Sequence, residues 1–285
     1  MKKYDVTALG ELLIDFTENG TSAQGNPLFE ANPGGAPCNV LAMLTKLGHK
    51  TAFIGKVGDD FFGKQLREAI TEVGIDSTGL LSDPEIHTTL AMVHTYPDGD
   101  RDFSFYRNPG ADMMLKEDEI PTELIENSKI FHFGTLSMTH DGVRAATKKA
   151  ISIAEEANAL ISFDPNLRPP LWKSLDDAKE QVLYGLGHCH ILKISDNEIQ
   201  WLTGKEDYTD GVNWIRERYN IPLILVSMGK EGSRAYYGDK IVEIKPFLQK
   251  NTIETTGAGD TFCGCVLHYI CEHGLDNLTE ADLTK

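Results

Sequence analysis

Two periods govern the apolar positions along this chain. Predominantly apolar runs of strand character cover residues 6–9, 51–57, 129–133, 160–164, 190–194 and 223–228. Between them, apolar residues recur at helical spacing around 39–47, 62–72, 142–157, 176–186 and 211–219. A strand that is apolar at every position is covered on both faces, and amphipathic helices are what cover it. The rhythm therefore predicts βαβ units, an α/β fold with a mostly parallel central sheet and helices on both faces.

Two segments break the rhythm. Residues 89–96 and 102–107 have strand character and are joined through Pro97-Asp98-Gly99-Asp100, a good hairpin turn. Residues 16–33 are short, polar and turn-rich, with Asn19-Gly20 and Gly25-Asn26-Pro27. Both are too short for a separate domain and read as a small β-structured flap. The expectation is one domain over residues 1–285, with a lid formed by segments of about 12–34 and 88–110. No internal repeat or low-complexity linker interrupts it.

In open α/β sheets, ligands bind beyond the carboxyl ends of the strands. Polar clusters fall at several predicted strand ends: Gly10-Glu11 with Asp15, Asp164-Pro165-Asn166-Leu167-Arg168, Lys193 through Glu198, and Ser227-Met228-Gly229. The C-terminal region adds Glu254-Thr255-Thr256-Gly257-Ala258-Gly259-Asp260, which opens an apolar helix through Val266, Leu267 and Ile270. The first turn of a helix presents unpaired N–H groups and partial positive charge, and the glycines let an anion approach that backbone. Asp260 places a carboxylate at the mouth of this anion trap. Anion binding alone does not call for one; transfer of a phosphoryl group to a hydroxyl does. A Gly-rich turn with an acidic helix cap is the plainer alternative.

Other phosphate motifs are imitated or absent. Gly58 through Gln65 resembles a P-loop until its last position, where Gln65 stands in place of the metal-binding Ser or Thr. It reads as a turn entering a helix. After Leu9 the chain offers Gly10-Glu11-Leu12-Leu13-Ile14-Asp15, without the Gly-x-Gly-x-x-Gly of a dinucleotide site, and no protein-kinase motif occurs.

Composition narrows the partners. The chain is ordinary for a globular protein at 41% hydrophobic and 25% charged, but its net charge of −16 disfavours nucleic acid and anionic membranes. Positive potential for a phosphate must therefore be gathered locally. Asp5, Glu11 and Asp15 interrupt any signal-peptide core, and no apolar stretch approaches a membrane span. Five cysteines without framework spacing fit a reducing, cytoplasmic setting. Cys263 and Cys265 point to different helix faces, and the nine histidines include no metal-binding spacing, so no transition-metal site is expected.

Gly34-Gly35-Ala36-Pro37-Cys38-Asn39-Val40-Leu41-Ala42 with Leu47-Gly48, together with 254–260, resembles the two signature regions of the ribokinase-like (phosphofructokinase-B type) sugar kinases. Residues 10–16, 105–112 and 163–172 look like the fructokinases within that family. The resemblance runs over nearly the whole chain in the right order. It implies a Rossmann-like central sheet with a β-sheet lid, and transfer of the ATP γ-phosphate to a sugar hydroxymethyl group.

Asp260 matches the family's catalytic base, and Gly257, Ala258 and Gly259 its anion hole. The resemblance carries sugar contacts to Asp15, Gly35 and Asn39, with a helix cap as the other reading of Asn39. Arg107 and Arg168 are candidates to meet substrate or phosphate charge, since guanidinium forks suit oxyanions; a solvated surface role is the alternative for each. Lys193, Ser227 and Gly229 resemble nucleotide-phosphate contacts, joined by Gly257 and Gly259.

Two departures stand out. Ser195 replaces the Asn of the family's Asn-x-x-Glu pattern, although Glu198 is kept and is expected to hold Mg²⁺ through water. Family members also continue beyond the helix bearing the base, whereas this chain stops at Lys285, so a trimmed chain or an incomplete adenine pocket is expected. ATP and Mg²⁺ are the implied cofactors, with a monovalent cation such as K⁺ as an optional addition, and a homodimer through the lid is the implied assembly. A 2-keto-3-deoxygluconate kinase or another sugar or nucleoside kinase is the near alternative to fructokinase, and a non-catalytic sugar- or nucleotide-binding regulator the remote one.

Overall fold

The structure is a computed structural model that describes residues 2–95, 101–247 and 257–285. The expected hairpin turn at Pro97–Asp100 and the 254–256 part of the C-terminal motif lie outside the described residues. The elements run in the order β1 (Tyr4–Leu9), β2 (Leu13–Thr21), β3 (Pro27–Gly34), α1 (Ala36–Lys46), β4 (Thr51–Gly58), α2 (Phe61–Val73), β5 (Asp76–Asp83), β6 (Leu90–Thr95) and β7 (Arg101–Tyr106). Then follow α3 (Thr122–Glu126), β8 (Ser128–Gly134), α4 (Asp141–Glu156), β9 (Leu160–Asp164), α5 (Leu175–His188), β10 (Ile191–Ser195), α6 (Asp196–Thr203) and α7 (Tyr208–Arg216). The chain ends with β11 (Leu223–Ser227), β12 (Ser233–Tyr237), β13 (Lys240–Ile244), α8 (Ala258–His273) and α9 (Glu280–Thr284).

Among the described residues, nine strands form the main sheet in the order β13-β12-β11-β10-β9-β8-β1-β4-β5. The neighbours from β5 to β11 pair in parallel, and β12 and β13 close one edge antiparallel. A second sheet, ordered β3-β2-β6-β7, pairs β2 with β6 in parallel and both flanking neighbours antiparallel.

The period-two geometry of a strand divides the apolar side chains between two cores. Leu9, Phe131, Phe133, Leu192 and Ile194 face one, with α4, α5, α6 and α7 packed over them. Val6, Ala8, Ile130 and Ile191 face the other, beneath α1, α2 and α8. The P-loop lookalike is a helix start: Asp60 caps α2 by accepting the Gly63 N–H at 2.8 Å.

α1 and α8 approach closely at Gly264, which has no side chain. A Cβ there would stand 2.9 Å from Met43 Cβ and 3.1 Å from the Val40 carbonyl. Replacing Gly264 with Val therefore overpacks the seam and is expected to cost about 1–3 kcal/mol of stability. Urea unfolding checks this, and an undiminished midpoint would show that the two helices separate freely.

Candidate active site

The N-terminal ends of α1 and α8 converge above the carboxyl ends of β1, β9 and β10. Gly257 precedes α8 in the left-handed region at φ 76°, a conformation glycine adopts without strain. The turn aims the first amides of α8 outward. Asp260 sits in this first turn and is 9% exposed. Asn39 lies inside α1, whose N-cap is Gly35, so its side chain caps nothing. Instead its Nδ2 donates to Asp260 Oδ2 at 2.8 Å.

These groups share a cavity of about 250 Å³ with Asp15, Gly35, Arg168, Lys193 and Gly259. Asp15 comes from β2 of the small sheet, and its carboxylate occupies the space that a side chain at Gly34 would fill. Thus the second sheet places a carboxylate on the wall of the cavity that Asp260 also lines. Burial raises the Asp260 carboxyl above the ordinary aspartate range, against the opposing pull of Asn39, Lys193 and Arg168. A more basic carboxylate is a better proton acceptor.

Lys193 lies beside Gly259, where an added Cβ would be 3.1 Å from its Nζ. Its ammonium pairs with Asp164 at 3.0 Å, and both side chains are buried. Desolvation opposes the lysine charge, but Asp164 and Glu198 outweigh it and hold Lys193 above the usual range. Burial pushes Asp164 up to about 6, against the attraction of Lys193. At neutral pH the two stand as an ion pair that fixes a cation beside the Gly257–Gly259 turn.

Not every expected residue reaches the cavity. Arg107 lies outside its lining, with a side chain only 2% exposed. Its Nε donates to Asp112 at 2.7 Å, and its terminal nitrogens donate to Thr139 Oγ1 at 2.8 Å and to the Leu136 carbonyl at 3.0 Å. A buried guanidinium needs a counter-ion, and Asp112 is it. Arg107 therefore ties the end of β7 to the loop after β8. Ala258, Glu198, Ser227 and Gly229 are also off the cavity wall. Glu198 Oε2 accepts the Ser195 amide and hydroxyl, both at 2.8 Å, while Oε1 accepts the Leu167 N–H at 2.7 Å. Ser195 and Glu198 form the capping box of α6, which accounts for serine at that position.

Of the wall residues, Leu136 carried no sequence signal, and Leu13 and Phe105 entered only within the fructokinase-like stretches 10–16 and 105–112. Asn166 was visible within a polar cluster and the fructokinase-like stretch 163–172 but not singled out; it lines the cavity at φ 44°, a strained conformation that asparagine tolerates. Glu11 also lines it, with Oε1 accepting the Ala36 N–H at the start of α1 at 2.9 Å.

The comparisons with known proteins follow this geometry. The model of the pfkB family carbohydrate kinases matches residues 3–279. The chain belongs to that family. It is thus a carbohydrate kinase, as its signature regions implied. It is 41% identical over 269 residues to a probable fructokinase-2 of Arabidopsis thaliana, covering 94% of this chain and 82% of the relative. Among solved structures it is similar to a double mutant of fructokinase from Vibrio cholerae O395 bound to fructose, ADP and potassium ion, with a TM-score of 0.89 and 28% identity over 99% of this chain and 89% of that one. It is also similar to fructokinase from Xylella fastidiosa with bound ATP, with a TM-score of 0.86 and 28% identity over 96% and 83% of the two chains. No described helix is long and apolar enough to cross a membrane.

Glu11 makes a pH prediction. Burial is the largest cause that raises its carboxyl from 4.5 to about 7. Between those values the folded protein holds a proton that the unfolded chain has released, so stability falls as pH rises and levels off above about 7. At ~1.4 kcal/mol per unit, the full swing is roughly 3 kcal/mol. Glu11→Gln cannot ionise but still accepts the Ala36 N–H. Its stability relative to wild type is expected to rise between pH 5 and pH 8 by roughly 2–3 kcal/mol in urea titrations. An equal difference at both pH values would remove Glu11 as the titrating group.

Proposed function

We propose that this chain is an ATP-dependent fructokinase that transfers the γ-phosphate to the hydroxymethyl group of fructose, giving fructose 6-phosphate. The observation that carries the reading is the buried Asp260 held by Asn39 at the N-terminus of α8, facing Asp15 across one cavity. Asp260 would orient the sugar hydroxyl and accept its proton, and the amides of Gly257, Ala258 and Gly259 would hold the transferring phosphate. The fructokinase relatives at 41% identity, and the fructose, ADP and ATP bound by the solved fructokinases, support the choice of sugar and nucleotide.

Asp15, Gly35, Asn39 and Arg168 would contact the sugar, and Lys193, Ser227 and Gly229 the nucleotide phosphates. The cradle fits an anion: Gly259 leaves open the space against Lys193 that a side chain would narrow. When bound with ATP, Mg²⁺ neutralises phosphate charge. Glu198 would hold it through water, because both its oxygens already accept hydrogen bonds from Ser195 or Leu167. A hydrated ion suits that arrangement, since Mg²⁺ keeps several waters.

An ADP-release assay over fructose, 2-keto-3-deoxygluconate and ribose tests the reading. Fructose is expected to give the highest kcat/KM, and Asp260→Asn to lower kcat by about 10²–10⁴. Preference for another sugar would discard fructokinase while leaving the kinase. Wild-type turnover by Asp260→Asn would discard the proposed base.

The reading extends to assembly. β3 is an edge strand of the small sheet, with Leu28 and Phe29 exposed along it. An edge of this kind is a template for pairing, which supports a homodimer through the lids. Sedimentation is expected to give a dimer mass; a monomer at assay concentrations removes it.

A further inference from the structure

The far end of α8 brings together a second set of chemistry-bearing side chains. His268 and Glu272 lie four residues apart on α8, on one face of the helix. His49 reaches them from just past the end of α1, where its N–H bonds to the Leu44 carbonyl at 3.1 Å and fastens it to that helix. His49 Nε2 stands 2.7 Å from His268 Nδ1 and 4.0 Å from Glu272 Oε1. One atom from each of the three residues lies within 4.8 Å of the others.

The other edge of the His49 ring is oriented as well. Its Nδ1 faces Asp5 Oδ2 at 3.4 Å. Asp5 is itself held by Lys129 at 2.7 Å and by the Lys50 N–H at 3.0 Å. A carboxylate behind a histidine, fixing its tautomer and turning its other nitrogen forward, is how metal-binding imidazoles are supported. His49 is buried, so its part of the arrangement is built into the fold, with His268 partly buried and Glu272 at the surface.

We propose that His49, His268 and Glu272 form a binding site for a divalent cation of the zinc class, with Asp5 orienting His49. Two imidazoles and a carboxylate suit Zn²⁺, with water in the fourth position. Zn–N bonds at a tetrahedral angle place two nitrogens about 3.3 Å apart, so the rings need part by only a fraction of an ångström. The ion replaces the proton shared between the two nitrogens, which moves to His268 Nε2. Glu272 is half exposed and free to close on the ion.

The site clamps the C-terminal ends of α1 and α8, the two helices whose N-terminal ends carry Asn39 and Asp260. His268 is about 12 Å along α8 from Asp260, outside the catalytic cavity. The histidine spacing in sequence gave no warning of this, because the two rings are 219 residues apart.

The test is isothermal titration of chelator-treated full chain with ZnCl₂, together with thermal unfolding with and without the ion. One Zn²⁺ per chain and an upward shift in Tm are expected. His268→Gln and Glu272→Gln are expected to weaken binding more than about 10-fold, and Asp5→Asn by about 10–100-fold, as loss of an orienting carboxylate does. Glu272→Gln changes an exposed side chain, so its result stands even if a histidine variant folds poorly. Absence of stoichiometric binding, or wild-type affinity in both His268→Gln and Glu272→Gln, overturns the site.

Discussion

The hydrogen bond from Asn39 to Asp260 joins two residues 221 positions apart, and the active site depends on it. Neither side chain can be placed by its own helix alone. α1 and α8 must lie close enough for an amide and a carboxylate to meet, and the missing side chain at Gly264 is what permits that approach. Gly257 then sets the angle at which α8 begins. A Cβ at Gly257 would lie 3.6 Å from Asn39 Nδ2 and 3.9 Å from Asp260 Oδ2, so the turn is in contact with the pair it presents. Helix packing, turn conformation and the position of Asp260 are one constraint seen at three scales.

Around that pair, two buried ion pairs hold cations in fixed positions. Asp164 holds Lys193 beside the glycine turn, while Asp112 holds Arg107 off the cavity wall. A buried ion pair adds little net stability, because desolvation offsets most of the attraction, but removing one member leaves an uncompensated charge. Such pairs are better understood as fixing geometry. Lys193 is fixed where a phosphate would arrive, and Arg107 fixes the loop carrying Leu136, which lines the cavity. Glu11 differs in having no cation of its own at hydrogen-bond distance. It accepts the Ala36 N–H, so the partial positive charge at the start of α1 is what meets it.

Most of the parallel sheet was legible because its central strands are predominantly apolar on both faces, and the helices because their apolar residues recur at 3.6. β9 was read to the residue. The polar strands were harder: β5, with the sequence Asp-Ser-Thr-Gly-Leu-Leu-Ser-Asp, lies at the sheet edge and lacks the buried pattern, and was not foreseen. The glycine turn and Asp260 were legible because they are contiguous and their chemistry is local. The placement of Arg107 was not legible, because sequence shows a guanidinium but not its counter-ion. Asp112 is five residues away, yet the other partners are Thr139 and Leu136, which only the folded chain brings near. Glu198 shows a related limit: its spacing from Ser195 fits both a metal-site pattern and a capping box, and the hydrogen bonds are those of the box.

The overall charge of −16 makes this distribution of cations consequential. A polyanionic substrate approaching an acidic protein is repelled at long range, so attraction must come from groups close to it, within about a Debye length of 8–10 Å. Of the two arginines that could have met it, one is bound to Asp112 and is not on the cavity wall. Arg168, Lys193 and the first turn of α8 remain on that wall. All three lie at the end of the sheet where Asp260 and Asp15 also sit, so the positive groups are interleaved with the carboxylates that would handle the hydroxyl. This arrangement suits a reaction in which an anion and a neutral sugar must be held together, since a uniformly positive pocket would depress the basicity of Asp260. Burial raises that carboxyl despite the nearby cations, and the balance between the two is what the site has to maintain.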